Sequence, residues 1–262
     1  MNQLYNEIDR RMEIVAERVA DVSEDVVEDF YRRLEFSWIY HDNALEGLVL
    51  SYHELNAAID DAIISDSSLI PAYADIVNQQ KAIHFVRASA AKKKGALGLD
   101  FLKKLSLLLG QEKKKRGKAA AKPQGQYRKD NPLHRLYFHE IAPPDKISYQ
   151  MRKLVQWLAS DEAKKMHPVR RAAHAHHKLI TIFPWPRHSG KIARLLMNAM
   201  LQRDGLLPSI IHAVERQRYY EVLRQPPDGL TRLVGESLTG TLDAAARFFE
   251  AGGDPSALLA AS

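Results

Sequence analysis

The stretch Ile182-Phe183-Pro184-Trp185-Pro186-Arg187-His188-Ser189-Gly190-Lys191-Ile192-Ala193-Arg194 places a turn rich in Pro and Gly directly before a helical run. Apolar spacing predicts one helix over 168–182 and a second over 188–203, joined by PWPRHSG. In the second, Ile192, Leu195, Leu196, Ala199 and Met200 share a face, and Gly205 follows the end. The first turn of such a helix has backbone N–H groups without intrahelical partners and the positive end of the macrodipole. An end of this kind binds phosphate. Lys191 and Arg194, three residues apart, fall on one side of that turn. Arg187, His188, Ser189 and Gly190 complete it with further donors and a small residue. The expected object is an electropositive anion cradle. The plainer alternative is an ordinary helix start whose basic side chains face solvent.

Working outward, helical periodicity dominates. Ile8, Met12, Val15, Val19, Val22 and Val26 form a stripe that predicts one amphipathic helix over 4–34. A second helix is expected over about 36–47. A third runs from Tyr52 to Ile64, with Ser51 as N-cap and Glu54 three residues on. Residues 70–90 are helical by pattern. Asp100 is expected to cap a helix that runs to Leu109 and stops at Gly110. Helical spacing returns at Met151, Leu154, Val155 and Leu158, again near Arg216, and over 238–250. Leu136-Tyr137-Phe138, bounded by Asn131-Pro132 and Pro143-Pro144, is the one β-favouring stretch and predicts a short hairpin over 131–142. The fold class is therefore all-α with one small β element.

The chain has 262 residues and no cysteine. That excludes a disulfide framework, a thiolate zinc site and a cysteine nucleophile. The first thirty residues are charged every few positions and lack the apolar core of a secretory leader. No apolar run approaches the ~18 residues a membrane span requires. The expectation is a soluble, cytoplasmic protein with no membrane partner. The net charge of +6 is uneven: residues 81–135 hold 16 Lys and Arg against three acids, concentrated in Lys92–Lys94 and Lys113–Lys118. Such a run suits the phosphates of a nucleic acid. It equally suits a solvated loop whose like charges repel, and the sparse aromatics offer little stacking surface for single strands.

The segment 183–194 resembles the signature of the Fic (Fido) family, His-Pro-Phe-x-(Asp/Glu)-Gly-Asn-Gly-Arg-x-x-Arg, and fills the same frame. The flanks AAHAHHKLITI (172–182) and RLLMNAMLQRDGLLPSIIH (194–212) resemble that family's preceding and following helices. Gly125-Gln126-Tyr127-Arg128 with the 131–142 hairpin resembles its target-docking flap. Asp42-Asn43-Ala44-Leu45-Glu46-Gly47 resembles its autoinhibitory motif, (Ser/Thr)-x-x-x-Glu-(Gly/Asn), with Asp42 in place of Ser/Thr. The resemblance implies a Fic-like helical bundle over 36–225, flanked by helical extensions at 1–35 and 226–262. It implies protein adenylylation: the motif His deprotonates a target hydroxyl, which attacks the α-phosphate of ATP. It also implies that Glu46 pairs with Arg194.

The departures bear on mechanism. Phe183 stands where the family has its general base and has no proton acceptor. Loss of such a base costs about 10²–10⁴ in rate. Arg187 stands where an acidic residue holds Mg²⁺, an ion that requires oxygen ligands. Ser189 and Lys191 replace Asn and the first Arg, while Gly190 and Arg194 are unchanged. The resemblance then implies a protein that binds a nucleotide or other phosphorylated ligand at Arg187, Ser189, Gly190, Lys191 and Arg194. Mg²⁺ is not expected by the family mechanism, and AMP transfer is altered or lost. His188 is the candidate substitute base. Tyr219 and Tyr220 are candidates for stacking on a nucleobase or for core packing. His174, His176 and His177 share a helix without an evident third metal ligand, and Trp185 is expected to anchor the loop. A target protein would dock at the flap. The alternative function is a non-catalytic regulator that binds protein or nucleic acid through the basic 92–129 stretch.

Overall fold

The computed structural model describes residues 1–59, 70–92, 95, 97–111, 125–132 and 140–254. Among these residues the protein is all-helical. The helices are α1 (Asn2–Ala20), α2 (Glu24–Leu45), α3 (Tyr52–Ile59), α4 (Ile70–Ala91), α5 (Leu99–Leu109), α6 (Ile147–Ala159), α7 (Asp161–Lys165), α8 (Pro168–Ile182), α9 (Ser189–Arg203), α10 (Arg216–Leu223) and α11 (Pro227–Glu250). Short 3₁₀ turns lie at Pro144–Lys146 and Ala213–Glu215.

Helix α9 is the axis. Every residue from Ser189 through Leu201 is buried, and α8, α4 and α5 pack around it. A helix covered on all sides belongs to the interior of a bundle. This placement decides the fate of the cradle, because the first turn of α9 is interior as well. Helix α11 lies against α8, and α1 lies along α11. The core is continuous from Ile8 to Phe249.

Several boundaries differ from expectation for local reasons. The 4–34 stripe is correct as a buried face, with Ile8 and Val15 in the core, but it is two helices and not one. Asp21 ends α1, and Ser23, in extended conformation, starts α2 with Glu24 and Asp25 in its first turn. Acidic side chains there complement the helix dipole. Helix α2 then absorbs the segment expected as a separate helix and carries Asp42 and Asn43 in its last turn. Gly98 takes the N-cap position of α5, with Asp100 inside the first turn. The last helix starts at Pro227, earlier than expected, with proline at a position where the missing N–H costs nothing. Ser51 accepts from the Glu54 N–H (3.3 Å) while Glu54 takes the Ser51 N–H (2.7 Å), the reciprocal cap expected at α3.

The predicted hairpin falls mostly outside the described residues, which omit 133–139. The basic stretch does so in part, since 93–94, 96 and 112–124 are also omitted. Two described residues near this segment are tied to 181–184: Arg128 N–H donates to the Pro184 carbonyl and Ala142 N–H to that of Thr181, both at 2.9 Å. Among the described residues, no helix is long and apolar enough to cross a membrane.

Candidate phosphate-binding site

The loop between α8 and α9 is bracketed by two residues in the left-handed region, Phe183 (φ 47°) and His188 (φ 64°). Side chains rarely adopt this conformation, and it persists only where the surroundings enforce it. The enforcement is visible. Phe183 and Trp185 are each 1% exposed. Ser189 Oγ accepts from the Trp185 N–H and donates to its carbonyl, both at 2.9 Å. Arg128 Nε donates to the Phe183 carbonyl at 2.7 Å. Trp185 thus anchors the loop in the core, as its size suggested.

The two cations of the opening turn are buried, not presented. Lys191 Nζ donates to Asn43 Oδ1 at 2.7 Å and to Gln79 Oε1 at 3.1 Å. Burial lowers its pKa, against the pull of Asp42, Glu46 and Asp75. Arg194 is enclosed more fully. Its Nε donates to Asp42, its Nη2 to Glu46 Oε1 at 2.9 Å, and its Nη1 to the Tyr219 hydroxyl at 3.1 Å. Burial opposes the guanidinium charge, but Asp42, Tyr219 and Glu46 outweigh it and hold the pKa well above its usual value. The ion pair expected between Glu46 and Arg194 is therefore present in the geometry. Gly190 makes room for it, because a Cβ at that position would collide with Glu46 Oε1.

The cations of the expected cradle are met from within the chain. Ser189, Gly190, Lys191 and Arg194 are all buried, and the charges of Lys191 and Arg194 meet the chain's own acceptors. Arg187 alone of the group is exposed, with its Nη2 3.4 Å from Asp75. His188 is half-buried. Burial, then the Lys191 cation, lowers its pKa to about 4, so its imidazole is neutral at ordinary pH. Its Nε2 has no hydrogen-bond partner among the described residues.

Tyr219 is fully buried. Its hydroxyl lies 3.0 Å from His176 Nε2, and burial raises its pKa despite the nearby Arg194. Tyr220 is buried beneath Arg216 and donates to the Leu45 carbonyl at 3.1 Å. Of the two roles considered for these tyrosines, the geometry supports core packing; neither presents an open ring to a base. The three histidines of α8 diverge: His176 meets Tyr219, His177 Nε2 lies 2.9 Å from the Gln225 carbonyl, and His174 stacks against Trp157.

The sequence reading missed Asp42 as a partner of Arg194, although Asp42 and Glu46, four apart, necessarily share a helix face. It also missed Asn43 and Gln79 as partners of Lys191, and Arg128 as the tie between Ala142 and the motif loop. Nothing local marks Gln79 for that role, since its partners come from two other helices.

The Fic/DOC family model matches residues 97–201, which include the whole of this loop and the start of α9. Over those residues the chain is similar to the Fic/DOC family. It is 29% identical over 213 residues to the protein adenylyltransferase Fic of Nematostella vectensis, covering 80% of this chain and 48% of that protein. It is 28% identical over 214 residues to the protein of the same name in Drosophila persimilis, covering 79% and 40%. The chain thus spans about half, or less, of the length of these relatives. The fold of a Fic-domain signaling protein from Bacteroides thetaiotaomicron superposes with a TM-score of 0.79 at 20% identity, covering 94% of this chain and 98% of that one. Fic-1 from C. elegans superposes with a TM-score of 0.74 at 21% identity, covering 92% and 70%.

Within the Fic frame, the substitutions acquire a physical setting. Phe183, at the position of the family's general base, is a core side chain that ends α8. Arg187, at the position of the Mg²⁺-binding acid, presents a guanidinium and engages the nearby Asp75. This donor set does not fit a divalent cation, which takes anionic or neutral oxygens.

Proposed function

We propose that this chain is a Fic-fold protein that binds a nucleotide or other phosphorylated ligand at the first turn of α9, with AMP transfer by the family mechanism lost. Glu46 is the autoinhibitory residue of this reading. The observation that carries it is Arg194: the last motif arginine is retained at a helix N-terminus and already holds anions, which are the carboxylates of Asp42 in α2 and of Glu46 just after it. An anion site filled from within becomes a ligand site when the internal anions withdraw. Loss of transfer follows from Phe183, which cannot take a proton, and from Arg187, which cannot hold a metal.

Two measurements test the two halves. The full chain is incubated with ATP, GTP, UTP and CTP, with and without Mg²⁺, and its intact mass is recorded. The expected result is an unchanged mass; addition of one nucleoside monophosphate would overturn the loss of transfer. The ligand half is tested by calorimetric titration of the same four nucleotides into a variant lacking both carboxylates that meet Arg194, Asp42→Asn with Glu46→Gly. Binding is expected. A folded variant that takes up none of the four removes the nucleotide from the proposal.

A further inference from the structure

Two carboxylates and two cations meet at the start of α9, and their formal charges cancel. The two carboxylates are not equivalent. Glu46 lies just past the last residue of α2 and is 16% exposed at its side chain; beyond it Gly47 turns the chain with φ 94°. Asp42 lies one turn earlier and is 3% exposed. Its Oδ1 accepts from Arg194 Nε, and its Oδ2 accepts from Gln79 Nε2 at 2.6 Å. Gln79 Oε1 in turn accepts from Asn43 Nδ2 at 2.8 Å and from Lys191 at 3.1 Å. Asp42 is therefore tied at once to α4 and α9, while Glu46 sits at a helix end beside a glycine turn.

We infer that Asp42 is a second internal anion that keeps Arg194 occupied after Glu46 has left. The inference rests on the ligand reading above for its relevance to binding, but its geometry is independent of that reading. With Glu46 gone, Arg194 still faces a carboxylate in a setting where water is excluded and charges are felt strongly. An incoming phosphate would approach that carboxylate as a like charge. The family motif has Ser or Thr where this chain has Asp42, so this lock comes from a position the motif leaves neutral. Asp42 acts here as a positioning residue through Arg194 and is assigned no contact with ligand.

The test labels arginines in the full chain with phenylglyoxal and follows Arg194 by peptide mass, with exposed Arg187 as internal reference. Wild type, Glu46→Gly, Asp42→Asn and the double variant are compared. Arg194 in Glu46→Gly is expected to label within about threefold of its wild-type rate, and in the double variant at least about tenfold faster than in either single, as groups in one network are non-additive. A Glu46→Gly protein that labels Arg194 as fast as the double variant overturns the inference. That comparison also decides if the double variant fails to fold, because a Glu46→Gly rate approaching that of Arg187 is then the overturning result. ATP titration into the same proteins separates the two proposals. If labelling follows expectation and no variant binds ATP, the nucleotide reading fails and the second lock stands. If Glu46→Gly alone frees Arg194, the lock fails whatever ATP does.

Discussion

Arg128 is buried and directs every donor it has at oxygens beside the motif loop. Nε reaches the Phe183 carbonyl, Nη1 the Asp130 carbonyl and Asn131 Oδ1, and Nη2 the carbonyls of Ala142 and Ile182. These acceptors include the last carbonyls of α8, which have no intrahelical partner. Burial lowers the guanidinium pKa, the electrostatic cost of placing it there. Arg128→Ala should lower stability by about 3 kcal/mol, because it removes several charge-assisted hydrogen bonds and leaves buried carbonyls unmet. Arg128→Lys should recover less than half of that, since one ammonium cannot serve acceptors spread across a planar fork. Urea unfolding measures both. At this scale the sequence showed which residues gather near the motif and not how they are satisfied. Glu46 with Arg194 was legible because each falls in a recognisable local pattern. Lys191 with Asn43 and Gln79 was not, because a pairing across 112 to 148 positions leaves no trace in spacing.

At the scale of elements, the end of α2 is held by the segment after α9. The Leu45 carbonyl accepts from Arg216 Nε and from the Tyr220 hydroxyl, each at 3.1 Å. His41 Nδ1 accepts the Ala213 N–H at 3.1 Å, and its ring stacks on His212 with centroids 4.2 Å apart. Burial, and then the neighbouring His212, lowers the His41 pKa to about 4. A histidine held neutral in the folded state takes up its proton more readily when unfolded, so stability rises with pH across the gap. The contribution is complete above about pH 6.5, declines as pH falls towards 4, and is flat below that. Allowing for the solvent that reaches the ring, it amounts to about 1 kcal/mol. Thermal unfolding between pH 4 and 7 should show this slope, and His41→Asn, which keeps an acceptor for Ala213 and cannot titrate, should flatten it. An unaltered slope would place the titration elsewhere, with His188 the first alternative, its pKa being lowered to about the same value. The helices themselves were legible where apolar period and terminal signals agreed, as for α8 and α9. The corner at Asp21–Ser23 was overlooked because the apolar stripe continues across it. The early start of α11 was written in Pro226-Pro227-Asp228, where the missing apolar period hid a proline-led first turn.

For the whole molecule, the question is whether the first and last helices are appendages to the Fic-like region or part of its cooperative unit. Ile8 is fully buried, and Leu4 lies so near α11 that a Cβ at Gly235 would come within 2.6 Å of its Cδ2. Helix α11 in turn packs on α8, the helix that ends at the motif loop. A defect under α1 should therefore be felt throughout the bundle. Ile8→Ala should cost about 3 kcal/mol, the usual price of a buried aliphatic truncation whose cavity cannot collapse. The tryptophans make the test spatial. Trp38, Trp157 and Trp185 lie on α2, on α6 and in the motif loop, and none lies on α1 or α11. In guanidinium unfolding, fluorescence therefore reports the Fic-like region while circular dichroism reports all helices. If the chain is one unit, Ile8→Ala shifts both midpoints equally and leaves them coincident. If the helix at the N-terminus is an appendage, the dichroism falls early and the fluorescence midpoint stays at its wild-type value. The continuous core and the close approach at Gly235 argue for the first outcome.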